Sequence, residues 1–164
     1  METYKYSYKI GLNGAFNRLF TFLAVSSLFI GGTGFFKTYI GYILLDVTPE
    51  IQTCFIVFLI SFSVYSLDKI ADLDKDVVNM PHRRSFIYGR KRLVISASLA
   101  AYLIAALLTL SSMPDALPII LIPMVANAFY GMRLLPGVPR LKDIPVMKNV
   151  VVASTWALIT TLMP

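Results

Sequence analysis

Cysteine, histidine and tryptophan each occur once in these 164 residues, and only 15% of the chain is charged. One cysteine, Cys54, excludes an intrachain disulfide and any site built from several thiolates; lying in an apolar run, it reads as a small buried apolar residue. One histidine, His82, leaves no histidine cluster for zinc. Soluble domains carry roughly a quarter charged residues. With 57% hydrophobic residues and a mean hydropathy of +0.70, the chain belongs in a bilayer rather than in water. Internal repeats, low-complexity tracts and a soluble domain are all absent. No small-residue cleavage site follows the first apolar run, so that run reads as a retained span and not as a removed signal peptide.

What is present is a series of apolar runs separated by short charged clusters, and this predicts an all-α, polytopic bundle of about five spans forming one transmembrane domain over 1–164. The spans are expected at Phe16 to about Phe36, Ile51 to about Leu67, Leu93 to Leu110, Leu117 to about Met132, and Val150 to Pro164. Gly31, Gly32 and Gly34 read as helix-packing positions. Lys37 to Leu45 either continues the first helix or lies at the interface. Ser111 to Asp115 makes a tight turn. Pro118 suits a helix start, whereas Pro123 is placed to kink the fourth span. Arg133 to Lys148 reads as a polar loop that ends in a turn and a short helix start.

The net charge of +6 does not point to nucleic acid, because the cations are distributed by loop. Lys and Arg number three before the first span, one after it, seven between the second and third, none in the next turn and four before the fifth. The positive-inside rule then places the N-terminus, the Asp68 region and the Arg133 to Lys148 loop together in the cytoplasm, in a multi-pass cell-membrane protein.

The acidic residues are concentrated. Four of the nine stand in Asp68-Lys69-Ile70-Ala71-Asp72-Leu73-Asp74-Lys75-Asp76, at the end of the second apolar run. If the helix continues, Asp68, Asp72 and Asp76 share one face, about 6 Å of rise apart. Stacked carboxylates repel one another and ask for a cation; oxygen-only donors favour Mg²⁺ or Ca²⁺ over zinc. Arg83, Arg84, Arg90, Lys91 and Arg92 follow, and Lys142 belongs to the second basic loop on the same side. These cations suit phosphate, and they equally suit membrane anchoring. Asn127 and Tyr130 either face a reaction chamber or bond between helices, and Asp143 pairs with a neighbouring cation. Trp156 and the phenylalanines offer π faces to a cation or simply pack.

The motif resembles the first aspartate-rich motif of the UbiA family of intramembrane prenyltransferases, Asn-Asp-x-x-Asp-x-x-x-Asp followed by Asn, Pro and Arg. Asp68 stands at the family Asn, Lys69 at the next Asp, Asp72 and Asp76 at the other two; Asn79, Pro81 and Arg83 or Arg84 follow. The first change keeps an oxygen donor, and the second puts a cation where the family has a carboxylate. The resemblance implies that Asp68, Asp72 and Asp76 hold Mg²⁺ as catalytic residues, with Arg83, Arg84 and Lys142 binding the diphosphate of a polyprenyl donor. The prenyl group would pass to an aromatic or lipid acceptor within the membrane. It covers the amino-terminal half of the family's fold, about five of nine helices. A second aspartate motif is absent, since only Asp115 and Asp143 follow Asp76. The expectation is therefore a partial form, a chain that joins a carboxyl-terminal half or a second copy of itself, or a lipid-binding relative. From other classes, a cation transporter component would use the aspartates as an ion site, though such sites lie nearer the midplane. A non-catalytic membrane subunit gives no reason for the spacing.

Overall fold

The computed structural model describes residues 14, 16, 19, 22–23, 26–73, 87–131 and 143–164. Among them are five α-helices and no strand: α1 (Leu28–Leu44), α2 (Ile51–Ala71), α3 (Lys91–Ser112), α4 (Leu117–Gly131) and α5 (Pro145–Leu162), with a 3₁₀ turn at Pro114–Ala116 before α4. By length and composition, α2 and α3 suffice to cross a membrane, while Pro114–Phe129 and Asn149–Leu162 are shorter apolar helices.

The first span departs from expectation. Ser27 has φ 65° and ψ 0°. That left-handed backbone costs a non-glycine residue about 1–2 kcal/mol and cannot continue a right-handed helix. The Ser26 amide closes the preceding turn on the Phe22 carbonyl at 2.8 Å, and α1 starts afresh when the Gly31 amide bonds the Ser27 carbonyl at 2.9 Å. The helix then runs through Lys37 to Leu44. Lys37, counted above as a loop cation, is therefore a helical residue.

α2 is the hub. Its faces bury Cys54, Ile56, Val57 and Ile60, and with Ala101 and Ala105 of α3, Ile120 of α4 and Ile159 of α5 they form one core. Close approach is achieved with small side chains rather than interdigitated large ones. On α1 the buried positions are Gly31, Gly34, Thr38 and Tyr42; on α3 they are Ser98, Ala101, Ala105 and Thr109. A Cβ at Gly34 would stand 2.6 Å from Ser61 Oγ and 3.3 Å from the Val57 carbonyl, whereas one at Gly32 would meet nothing within 4 Å. Gly34 is thus a contact position and Gly32 is not. Hydroxyls inside this packing bond to their own helices, Thr38 to the Gly34 carbonyl at 3.1 Å and Thr109 to the Ala105 carbonyl at 2.9 Å. Tyr102 donates to the Ile120 carbonyl at 3.0 Å and ties α3 to α4.

Short connections fix the alternation of direction. The end of α1, the start of α2 and the end of α3 lie together, as the Gln52 to Ser112 hydrogen bond shows; a Cβ at Gly41 would also stand 2.8 Å from the Thr160 carbonyl of α5. The opposite end gathers the last turn of α2, the first turn of α3, the end of α4 and the start of α5. α4 remains helical through Pro123. α5 starts earlier than Val150, because Pro145 occupies its first turn, where the missing N–H costs nothing.

Candidate functional site

At that second end, α1, α2, α4 and α5 enclose a cavity of about 370 Å³. Its walls are mostly apolar, with Ile60, Val64, Val152 and Ile159, and its polar groups come from three helices: Tyr65, Asp68 and Lys69 on α2, Asn127 on α4, and Thr155 and Trp156 on α5. Tyr65 and Asp68 stand three residues apart and so share a face of α2. Pro123 lines the same space, so the residue without an N–H faces the cavity.

A compact cluster holds the wall opposite Asp68. Trp156 Nε1 donates to the Tyr65 hydroxyl at 2.7 Å, with the two rings 6.0 Å apart and inclined by 36°. Lys37 places its Nζ 4.2 Å from the centre of the Trp156 ring. A cation over an indole face is worth about 0.5–1 kcal/mol when exposed, and Lys37 is exposed. One face of Trp156 is thereby engaged by Lys37. Thr155 turns its hydroxyl to the Val151 carbonyl, at 2.7 Å.

The motif itself sits where α2 stops. The helix ends at Ala71 and Asp72 is its C-cap, its amide bonded to the Asp68 carbonyl at 3.0 Å. The expected three-carboxylate stack on a continuing helix is corrected here: Asp68 and Asp72 belong to successive turns, and the helix does not extend to carry a third. Asp76 lies outside the described residues, as do Arg83, Arg84, His82 and Lys142. Two carboxylates at the negative pole of a helix are unfavourable without nearby positive charge. Lys69, in the same last turn and only 8% exposed, supplies some of it. Among the described residues no three His, Cys, Asp or Glu gather as a metal-holding group.

Of the residues picked from the sequence, Asp68, Asn127 and Trp156 therefore meet in one cavity. Arg90 lines a different one, Lys91 and Arg92 are exposed in the first turn of α3, and Asp143 is exposed before α5. The Tyr130 side chain lies outside the described residues. Tyr65 and Lys37 were missed. Tyr65 was legible as the residue one turn before Asp68 on the same face, and Lys37 as a single cation inside an otherwise apolar run. No protein-family model, curated protein or solved structure matches the chain.

Proposed function

We propose that this chain is a multi-pass membrane protein of five spanning helices, similar to the UbiA prenyltransferases, and that the cavity beside Asp68 takes the polyprenyl diphosphate donor of a prenyl transfer to an aromatic or lipid acceptor. The observation that carries the reading is the cavity's asymmetry: carboxylate and ammonium groups of Asp68 and Lys69 at the end of α2, and apolar walls along α2 and α5 beyond them. A prenyl diphosphate has the same asymmetry, an anionic head on a long apolar tail. Support for a membrane setting comes from α3, whose Leu99, Leu103, Leu107 and Leu110 are exposed; only 22% of its apolar stretch is buried, against 50% for α2. Such a face suits hydrocarbon and not water.

The donor set fits the cation that the resemblance implies. Mg²⁺ is commonly held by one or two carboxylates with substrate phosphates and water completing its shell, so Asp68 and Asp72 suffice on the protein side, with Asp76 as a third. Bound there with the diphosphate, Mg²⁺ would neutralise the charge that develops on the leaving group. Lys69, and Arg83, Arg84 and Lys142 where they approach, add hydrogen-bond donors to the phosphate oxygens. The apolar walls exclude water from the allylic cation left when the carbon–oxygen bond breaks. Tyr65, held by Trp156, and the free face of Trp156 offer π density to that cation.

The test is retention of radiolabelled geranylgeranyl diphosphate by the purified chain in detergent, with and without Mg²⁺, beside Asp68→Ala and Asp72→Ala. Saturable retention that needs Mg²⁺ and is lost in both variants supports the reading. Retention indifferent to Mg²⁺ and to both substitutions would overturn it.

A further inference from the structure

A second cavity, of about 350 Å³, lies between α2, α3 and the turn before α1. It does not involve Asp68, and the donor reading does not require it. Phe62 of α2 and Leu93 and Val94 of α3 give it apolar walls; its polar groups are Lys69, Arg90 and the hydroxyl-bearing Ser27 and Ser66. No acidic residue lines it.

Three independent features of this space ask for an anion. Arg90 is the N-cap residue of α3, a 22-residue helix with no side-chain cap bond and no acidic residue in its first turn. The Val94 amide is the first to bond back to Arg90, at 2.9 Å, so the amides of residues 91–93 belong to the uncapped positive pole. Lys69, almost wholly buried, and Arg90 approach from two different helices. Ser27 is fully buried and its Oγ has no hydrogen-bond partner. A buried hydroxyl without a partner is uncommon and costs about 1–3 kcal/mol; a phosphate oxygen would accept its hydrogen.

We infer that this second cavity binds the phosphate of an anionic membrane lipid, with Arg90, Lys69, Ser27 and the first amides of α3 around the headgroup and the first part of an acyl chain against Phe62 and Leu93. Apolar walls select a lipid over a free phosphate ion. The volume is at the lower end of the range for small-molecule sites, roughly 300–1,000 Å³, which suits a headgroup and chain start rather than a whole lipid.

The experiment is native mass spectrometry of the full chain released from nanodiscs of phosphatidylglycerol or of phosphatidylcholine, with inorganic phosphate as a competitor. One phosphatidylglycerol retained per chain is expected, in preference to phosphatidylcholine. Arg90→Gln, a change at an exposed side chain, should weaken retention roughly tenfold, the loss of one charge-assisted hydrogen bond. Ala97→Phe, which fills the cavity, should abolish it with an unchanged helical circular-dichroism spectrum. Equal retention of both lipids, or retention unaffected by Arg90→Gln, would overturn the assignment. Complete displacement by millimolar inorganic phosphate would overturn it too, in favour of a free-anion site.

Discussion

Replacing Gly34 with alanine should loosen α1 from α2, and the size of the effect can be worked from the contact. The new Cβ would stand 2.6 Å from Ser61 Oγ, 3.2 Å from Ser61 Cβ and 3.3 Å from the Val57 carbonyl oxygen. Rotation of the Ser61 side chain relieves the first distance alone, because the other two involve a Cβ and a backbone atom. α1 must then retreat by a few tenths of an ångström along its buried stripe. Overpacking of this kind costs about 1–3 kcal/mol, and the gain in helix propensity from glycine to alanine returns about 0.8–1 kcal/mol. Gly32→Ala is the matched control: it lies on the same helix, gains the same propensity and meets nothing within 4 Å. The expected result is that Gly32→Ala is neutral or stabilising, while Gly34→Ala lies about 1–3 kcal/mol below it. Adding Ser61→Ala should recover part of that gap. Reversible unfolding in mixed micelles, followed by circular dichroism, measures all three. Equal stability of the two alanine variants would refute the close packing of α1 on α2, and with it the wall that α1 contributes to the first cavity.

The remaining predictions concern single residues of rare type. Trp156 is the only tryptophan, so emission reports its site alone; Lys37→Met should shift the emission by removing the ammonium from the ring face, with a stability loss of about 0.5–1 kcal/mol. Tyr65→Phe removes the acceptor of the Trp156 N–H and should cost about 1 kcal/mol, again read as an emission shift. Cys54 is 0% exposed, so maleimide labelling of the folded chain should be slow and should accelerate sharply on unfolding; fast labelling of the folded protein would contradict the position of α2 at the hub.

Four of the five helices could be read along the chain, because α2, α3, α4 and α5 are apolar runs bounded by charge, proline or glycine, and hydropathy detects such boundaries directly. Their ends moved by a few residues where a local rule outweighed hydropathy, as at Pro145, which opens α5 although the residues after it are polar. α1 was misplaced for a different reason. Ser26 and Ser27 sit inside an apolar run, and nothing in composition marks Ser27 for a left-handed backbone. Lys37 looked like a terminus because it is charged, yet Trp156, 119 residues further on, accommodates it within the helix. That contact is tertiary and has no local signature. The same division holds at the site. Asp68 was legible from four-residue spacing and Asn127 from being polar in an apolar span, whereas their meeting in one cavity depends on how α4 and α5 return to α2. The spacing also suggested one continuous acidic face, and the end of α2 at Ala71 limits that face to Asp68 and Asp72.

The most direct measurement of the central claim uses Trp156 as its own probe, since it lines the cavity that holds Asp68. Titration of the purified chain with geranylgeranyl diphosphate in the presence of Mg²⁺ should change the tryptophan emission saturably. Geranylgeraniol, which lacks the phosphates, should not reproduce the change, nor should the diphosphate without Mg²⁺ or with Asp68→Ala. An emission that stays constant through the full titration, or that responds equally to the alcohol, would contradict a diphosphate-binding cavity at the end of α2.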